Sequence, residues 1–222
     1  RFGSMISHEV RNPIHIIQSQ ISLWHKENSL GLDHTPKRFA TISAALQRLS
    51  GLFEKWLQSD RLKSPHLQMN MQVLEVNAWL ATWLPAYQSQ MTEHHLTWKP
   101  GPEQFLVRLD PALMEIAISN LLENAAKYAP DASKITVSLS SNSPSEVVID
   151  ITDEGPGIPH ELHRQVFEDF FRMQAETSKP GIGLGLSIVQ RIVQLHGGHA
   201  KVSPVTSGQG SCFSICLPIA KT

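Results

Sequence analysis

The chain has 222 residues, a hydrophobic content of 41% and a formal net charge of −1. Its length suits one large domain, or a small and a medium one, and its charge excludes a nucleic-acid surface, which needs clustered lysine and arginine. No apolar run reaches the roughly 18 residues of a membrane span, and no signal peptide is recognisable. Because Arg1 lies inside an already helical pattern, we expect a fragment of a longer protein.

The first predicted helix covers residues 2–27 and has one apolar face. Apolar residues recur on that face at steps of three or four: Ile6, Val10, Pro13, Ile17, Ile21 and Trp24. The opposite face carries polar residues: His8, Arg11, Asn12, His15 and Ser19. We therefore expect His8 to face water.

His8 is followed at once by the carboxylate of Glu9. A neutral imidazole offers a lone pair near pH 7, and the carboxylate can accept or hold the proton on its other nitrogen. This pairing predicts a nucleophile with a base beside it. The alternative is an ordinary solvated histidine, since the chain has 11 of them.

The second predicted helix covers residues 36–62, after a loop at 28–35. Its apolar residues alternate steps of three and four: Phe39, Ile42, Leu46, Leu49, Phe53 and Trp56. That is the spacing of a bundle seam. Two helices cannot enclose a core, so we predict a homodimeric four-helix bundle. The alternative is a hairpin packed on the rest of its own chain.

Beyond a short linker at residues 61–65, strand and helix patterns alternate and predict an α/β domain. Strands are predicted over residues 67–76, 96–98, 105–109, 135–139, 147–152, 200–203 and 211–217. Helices are predicted over residues 77–92, 111–129, 160–167 and 186–196, with Asn77 and Asp110 as helix caps. The predicted fold class is α+β in two domains, residues 1–64 and 65–222.

The two cysteines do not indicate a disulfide framework. Cys212 and Cys216 are four residues apart in a predicted strand. At about 3.3 Å per residue they lie ~13 Å apart, which is beyond the reach of a disulfide. Free thiols of this kind are typical of a cytosolic protein.

The helix from Pro111 carries a second polar pattern, in which Asn120, Asn124 and Lys127 recur at steps of four and three. Asparagines on a buried side are costly unless they are paired. The oxygen of Asn124 suits Mg²⁺, which prefers oxygen ligands, and Lys127 suits phosphate. The alternative is a solvated helix face.

Two glycine-containing segments follow. Asp153 ends a predicted strand and is followed by Gly155 and Gly157, so its carboxylate can accept a hydrogen bond from an exocyclic amine of a planar ring that the glycines allow to approach. The alternative is an ordinary glycine–proline turn. The segment 181–186 opens a helix and suits an anion. It is neither a Rossmann fingerprint nor a P-loop.

Five stretches, in this order, resemble the H, N, first glycine, F and second glycine boxes of the two-component sensor histidine kinases. They are residues 7–13, 120–128, 153–159, 167–172 and 181–186. The resemblance covers nearly the whole chain. It implies that residues 65–222 adopt the ATP-binding fold shared by gyrase, heat-shock protein 90, MutL and histidine kinases, an α/β sandwich with a mixed sheet.

The resemblance also implies roles for single residues. In the family, the second asparagine of the N box holds Mg²⁺, and the first asparagine, the lysine and the tyrosine of that box surround the phosphates. The aspartate of the first glycine box binds the adenine amino group. The expected ATP-binding residues are Asn120, Asn124, Lys127, Tyr128, Asp153, Gly155, Gly157, Ile158, Phe170, Arg172, Gly181, Gly183, Leu184, Gly185 and Leu186. The expected catalytic residues are His8, Glu9 and Asn12.

The resemblance predicts a protein-histidine kinase that uses ATP and Mg²⁺. His8 would take the γ-phosphoryl group and pass it to an aspartate of a response regulator, and Asn12 would serve a phosphatase activity toward that regulator. We expect the cytoplasmic portion of an inner-membrane sensor. Ile182 departs from the small hydroxyl residue that the family often has there. Two rivals are a kinase-like module that signals by dimerising without autokinase activity and another ATPase of the same fold.

Overall fold

A computed structural model of the chain describes residues 2–28, 35–89, 91, 93–173, 181–205 and 209–220, and omits the side chains of residues 2–8, 28 and 142. The described residues divide into two compact units. One contains Arg1–Arg61 with Phe170–Leu184, and the other contains Leu62–Asp169 with Gly185–Thr222. We describe each unit by itself.

The first unit contains a helical hairpin of α1, Phe2–Asn28, and α2, Thr35–Lys63. Both helices were predicted to within one residue at each end. The loop predicted between them lies mostly outside the described residues. Within the described part of the chain, no helix is long and apolar enough to cross a membrane.

Polar contacts fasten the end of α1 to the start of α2. Arg38 donates from Nε to Oε2 of Glu27 at 2.7 Å and from Nη1 to Oε1 of Gln20 at 2.8 Å. The indole Nε1 of Trp24 donates to the hydroxyl of Thr35 at 3.2 Å. These bonds link residues on opposite sides of the turn, so they hold the two helices antiparallel.

Four of the six apolar residues predicted as the seam of α2 are exposed in the single chain, and the other two, Ile42 and Leu49, are half-buried. Phe39 is 57% exposed, Leu46 51%, Phe53 51% and Trp56 41%. On the same helix the smaller side chains of Ala45 and Ser59 are buried instead. The hairpin therefore closes through small residues and leaves its largest apolar side chains uncovered.

The second unit is built on a five-stranded mixed sheet. The seven strands of this unit are β1 Gln72–Glu75, β2 His95–Lys99, β3 Leu106–Leu109, β4 Lys134–Ser143, β5 Glu146–Thr152, β6 His199–Pro204 and β7 Ser211–Pro218. The order in the sheet is β2-β4-β5-β7-β6, with β2 and β4 parallel and the other pairs antiparallel. Strands β1 and β3 form a separate antiparallel pair. The mixed sheet implied by the family resemblance is thus confirmed.

Three helices pack against these strands: α3 Val76–Gln88, α4 Pro111–Tyr128 and α5 Gly185–Leu195. Helix α4 lies on β4 and β5, α5 lies on β6 and β7, and α4 and α5 pack against each other. The predicted inner face of α4 is confirmed, since its four residues are all buried: Met114, Ile118, Leu121 and Ala125.

Helix capping follows one prediction and corrects another. Asp110 caps α4 as predicted, because its carboxylate accepts from the backbone N–H of Leu113 at 3.2 Å, and Pro111 follows it. Asn77 was wrongly predicted to cap α3. The cap is Glu75, whose carboxylate accepts from the N–H groups of Asn77 and Ala78. The carboxylate accepts two backbone donors there, whereas the Asn77 amide faces the neighbouring loop and bonds Gly101 and Glu103.

The sheet has one apolar and one polar face, because side chains alternate along each strand. Ile149, Ile151, Phe213 and Ile215 are buried on the helix-covered side. On the other side the hydroxyl of Ser214 donates to Asp150 at 2.6 Å. The face away from the helices, here called the outer face, thus carries polar side chains, although Val148 and Cys216 on it are buried as well.

Two further predictions of secondary structure were imprecise, and the prediction for the cysteines is confirmed. The strand predicted over residues 67–76 is confined to β1, and the helix predicted over 160–167 is two separate single-turn 3₁₀ helices, His160–Leu162 and Gln165–Phe167. Both cysteines are free, as predicted.

Candidate functional site

The predicted acceptor, His8, belongs to α1. Its backbone is helical, but its side chain lies outside the described part of the structure. The residues predicted to share its face are all exposed: Arg11, Asn12, His15 and Ser19. That His8 also faces water stays a prediction.

Glu9 is held by two arginines. Its Oε2 accepts from Nη2 of Arg48 at 2.9 Å, and its Oε1 accepts from Nη1 of Arg172 at 2.9 Å. The Glu9 side chain is only 14% exposed, so these are partly desolvated charge-assisted bonds, which are stronger than exposed ones. The predicted base is thus fixed in place by charge.

Sequence reasoning missed this cluster. Arg48 was not singled out, and Arg172 was assigned to nucleotide alone. The sequence carried no signal for Arg48, because the inward side of α2 appears only in the structure, where Ala45 is buried one helical turn earlier. No sequence signal linked Arg172 to Glu9, which is 163 residues away.

The polar residues of α4 differ in their surroundings. Asn120 is buried, and its amide Nδ2 donates to the carbonyl of Ile116 at 2.8 Å, which leaves its Oδ1 as an acceptor. Asn124 is half-buried, and its side chain makes no hydrogen bond to the described residues. The ammonium of Lys127 lies 4.7 Å from the centre of the Tyr128 ring.

Asp153 is buried at the end of β5, and its position is fixed by the backbone. Its Oδ1 accepts from the N–H of Gly155 at 2.8 Å and of Ser211 at 3.3 Å. Its Oδ2 accepts no bond from the described residues. Burial raises the pKa of Asp153, and the two backbone bonds oppose that rise. One carboxylate oxygen is thus fixed and the other is available to a ligand.

The glycines after Asp153 allow close packing of backbone. A Cβ on Gly155 would lie 2.8 Å from Oδ1 of Asp153 and 3.3 Å from the carbonyl of Tyr128. Gly157 has a φ of +80°, which favours glycine, and it lies against the carbonyl of Gly210. The half-buried Ile158 follows, and its carbonyl accepts from Nε2 of His163 at 3.0 Å. This turn therefore lies against the C-terminal end of α4.

The first residue of α5, Gly185, lies against Asn120 of α4. A Cβ on Gly185 would lie 3.1 Å from Oδ1 of Asn120. Because of this approach, the first N–H groups of α5 lie near Asn120. Gly185 and Leu186 are half-buried. Asn120 and Tyr128 are eight residues apart, which is about 12 Å along a helix. The C-terminal half of α4 thus runs from the start of α5, beside Asn120, to the Asp153 turn, beside Tyr128.

The remaining candidate residues belong to the unit that contains the hairpin. The N–H of Phe170 donates to the carbonyl of Gly183 at 2.9 Å, and a Cβ on Gly183 would lie 2.5 Å from the carbonyl of Phe171. Phe170, Gly181 and Gly183 have positive φ values of 65°, 145° and 72°. Leu184 and Ile182 are buried. The two segments therefore form one locally packed piece of backbone.

Comparison with known families accounts for both units. Residues 1–65 match the His Kinase A (phospho-acceptor) domain. Residues 109–221 match the family described as histidine kinase-, DNA gyrase B-, and HSP90-like ATPase.

This chain belongs to the sensor histidine kinases.

Its relatives include the adaptive-response sensory kinase SasA of Crocosphaera subtropica, which is 29% identical over 97% of this chain. The histidine-protein kinase/phosphatase MprB of Mycolicibacterium paratuberculosis is 29% identical over 95% of it. The chain spans 58% and 41% of the lengths of these two proteins. The fold matches histidine kinase ThkA, solved in complex with response regulator protein TrrA, with a TM-score of 0.77 at 23% identity over 99% of this chain and 61% of that one.

Family membership also confirms the two-part architecture read from the sequence, a helical hairpin followed by an ATP-binding α/β sandwich. In this histidine kinase, the second unit brings together the predicted N box, the first glycine box and the start of α5. The first unit brings Glu9 and Arg172 together.

Proposed function

We propose that this chain is the catalytic core of a two-component histidine kinase, in which ATP phosphorylates His8 and the phosphoryl group then passes to an aspartate of a response regulator. One observation carries the proposal. A single chain holds a phospho-acceptor hairpin and an ATPase unit whose buried Asp153 offers a free carboxylate oxygen. We further propose that the functional boundary lies between residues 64 and 65.

In this proposal the nucleotide lies along α4. Oδ2 of Asp153 accepts a hydrogen bond from the adenine amino group, and Gly155, Gly157 and Ile158 lie beside the ring. Asn120, Lys127 and Tyr128 bind phosphate oxygens. The N–H groups at Gly185 and Leu186 bind them too, because a helix N-terminus and its dipole favour anions. The close approach of Gly185 to Asn120 supports this arrangement.

The surroundings of Asn124 fit Mg²⁺. Its carboxamide oxygen makes no bond to the described residues and is half-buried, and Mg²⁺ is held by few protein oxygens together with phosphate oxygens. We propose that Asn124 holds the ion. When bound, Mg²⁺ neutralises negative charge on the phosphate oxygens during phosphoryl transfer, and the protein positions the nucleotide.

At the acceptor, Nε2 of His8 attacks the γ-phosphorus in line, an N–P bond forms and the P–O bond to ADP breaks. Glu9 accepts a hydrogen bond from the Nδ1–H and so keeps the lone pair on Nε2. Each carboxylate oxygen of Glu9 has a second lone pair, so Arg48 and Arg172 can hold Glu9 while it orients the ring.

The segment around Phe170, Gly181, Gly183 and Leu184 is proposed to close over the nucleotide. The bond between Phe170 and Gly183 supports this, because it makes the two flanks of the segment one body. Arg172 is proposed to bind phosphate as well. Because Arg172 also bonds Glu9, one guanidinium can serve the two partners in different states.

The exposed apolar seam supports a homodimer through residues 1–64. Leu46 and Phe53 are about half exposed in the single chain, and a second hairpin supplies the two missing helices of a four-helix bundle. The regulator partner is inferred from the ThkA–TrrA complex. We also propose that the intact protein is an inner-membrane sensor with this part in the cytoplasm.

The first test is incubation with γ-phosphate-labelled ATP and Mg²⁺. We expect the wild type to become labelled and His8→Gln to lose the label while it still binds ATP. His15→Gln is the matched control, since His15 is exposed on the same face, and should be labelled normally. An unlabelled wild type that binds ATP would favour the dimerising module without autokinase activity. ATP turnover without any protein label would favour another ATPase of the same fold.

A second activity is supported by one further observation. Asn12 is exposed one turn after His8, and the relative MprB is named a kinase/phosphatase. We propose that the Asn12 amide orients water against the phospho-aspartate of the regulator. Asn12→Ala should slow dephosphorylation about tenfold or more, as general positioning contributions do, while Ser19→Ala should not. Equal rates in the two variants would remove this role from Asn12.

A further inference from the structure

Three strands bring a thiol, an imidazole and a carboxylate together on the outer face of the sheet, away from the residues assigned to ATP. The ligand atoms of Glu146, His199 and Cys216 all lie within 4.8 Å of one another. Among the described residues, this is the group of three or more such side chains that could hold a metal ion. Nothing in the proposed kinase reaction uses any of them.

The strand register explains why these side chains meet. His199 in β6 and Cys216 in β7 are direct cross-strand partners, so their side chains leave the same face of the sheet. Cys216 is also the partner of Val148 in β5, and Glu146 lies two residues before Val148, which returns it to that face. The backbone of three paired strands therefore sets the arrangement, and flexible loops do not.

The burial of the three groups differs in a way that suits a site with an entrance. Cys216 is 0% exposed. The side chains of Glu146 and His199 are 30% and 58% exposed, and Nδ1 of His199 lies 3.6 Å from Oε1 of Glu146. A simple ion pair accounts for these two surface groups. It does not account for a buried sulfur within reach of both ligand atoms.

We propose that Glu146, His199 and Cys216 bind Zn²⁺. Thiolate, imidazole and carboxylate are the ligands that Zn²⁺ takes in proteins, with bonds of about 2.0–2.3 Å, so that tetrahedral ligand atoms lie about 3.5 Å apart. The histidine and glutamate atoms already have this separation at 3.6 Å, and the sulfur, within 4.8 Å of both, needs to approach them by at most about 1.3 Å. Cys216 releases its thiol proton to solvent on binding, and water completes the coordination.

Two further charged groups, Lys201 and Asp150, lie on the same face as the cluster. Lys201 lies two residues after His199 on the same face, where its cation opposes metal binding. Asp150 lies on that face too, with its carboxylate bonded to Ser214. The three ligands supply two negative charges once the thiol is ionised, so the site remains favourable for a dication. A bound ion would cross-link β5, β6 and β7 and stabilise the closing strands of the ATPase unit.

The test uses the full chain, reduced and without nucleotide, titrated with Co²⁺ as a spectroscopic substitute for Zn²⁺. A thiolate ligand gives a sulfur-to-cobalt charge-transfer band, which Zn²⁺ then removes by displacement. We expect the band in the wild type and in Cys212→Ser, the matched control on the same strand, and not in Cys216→Ser. No band with excess Co²⁺, or a band lost in Cys212→Ser alone, would overturn the site.

Because Cys216 is buried, Cys216→Ser could lose the band by misfolding, so a second variant changes the exposed ligand His199. His199→Gln should weaken Zn²⁺ binding about tenfold or more, measured by competition with a chelator, while His95→Gln at another exposed strand position should not. Zn²⁺, but not Mg²⁺, should also raise the thermal midpoint of the wild type, since a ligand of the folded state stabilises it. Equal affinities of His199→Gln and His95→Gln would show adventitious binding to surface histidines and refute the proposal.

Discussion

The two units of this chain bury their apolar residues to very different extents. In the ATPase unit, Leu121, Ile149 and Phe213 are at most 1% exposed. In the hairpin, Phe39, Leu46 and Phe53 are more than half exposed. Large apolar side chains at regular spacing belong in an interior. The described residues of the ATPase unit therefore enclose a core, whereas those of the hairpin leave large apolar side chains uncovered, as the proposed homodimer requires.

The largest expected effect is on that missing interface. Leu46→Glu should weaken the dimer at least a hundredfold, because burying a leucine contributes about 1.5–3 kcal/mol and each dimer has two copies. Gln47→Glu is the matched control, since Gln47 is exposed and lies off the seam. Sedimentation or light scattering at several concentrations measures the dissociation constant. A wild-type monomer at tens of micromolar would show that the seam is covered in some other way.

The next effect tests how tightly the ATPase unit is closed. A Cβ on Gly198 would lie 2.1 Å from the carbonyl of Cys216 and 3.1 Å from side-chain carbons of Val193 and Leu217. Gly198→Ala should therefore reduce the free energy of unfolding by about 3 kcal/mol, as overpacking does. Urea denaturation measures it. An unchanged midpoint would mean that β7 shifts freely to admit the methyl group.

A smaller effect is expected in the nucleotide site. Asp153→Asn should weaken ATP binding about tenfold or more, because a hydrogen bond to a charged group contributes about 1.5–3 kcal/mol. Asp150→Asn changes the same residue type three positions earlier, within β5 and on the outer face, where Asp150 pairs with Ser214. Titration calorimetry should find its ATP affinity unaltered. Equal losses in both variants would indicate a general effect on β5.

The smallest effect is expected from a second glycine-to-alanine substitution, which should raise the free energy of unfolding where Gly198→Ala lowers it. Gly51 lies within α2, and a Cβ there meets nothing within 4 Å. Gly51→Ala should stabilise the hairpin by about 0.5–1 kcal/mol, since glycine lowers helix stability by that amount. Thermal unfolding followed by circular dichroism measures the change. A lower midpoint would show that this face of α2 is covered in solution.

The sequence was sufficient where local chemistry decides the structure. Asp110 and Pro111 mark the start of α4 because a cap and a proline act within one turn. The apolar seam of α2 follows from spacing alone. The residues of the N and first glycine boxes also lie on neighbouring elements, as expected for one site.

The sequence was insufficient where distant residues meet. The order of the five strands, including the parallel pairing of β2 with β4, depends on packing that no local pattern records. The bonds of Glu9 to Arg48 and Arg172 join residues 39 and 163 positions apart. Glu75 ends β1, within the strand that was predicted, but its carboxylate also caps α3, a role that the sequence prediction gave to Asn77.

The most direct test of His8 as the acceptor is to map the phosphoryl group after incubation with labelled ATP and Mg²⁺. We expect a label that is lost in acid, survives base, and lies in the peptide that contains His8. We also expect Asp153→Asn to lower this label at limiting ATP. A label that survives acid, or one that maps to any other peptide, would contradict the assignment of His8 as the acceptor.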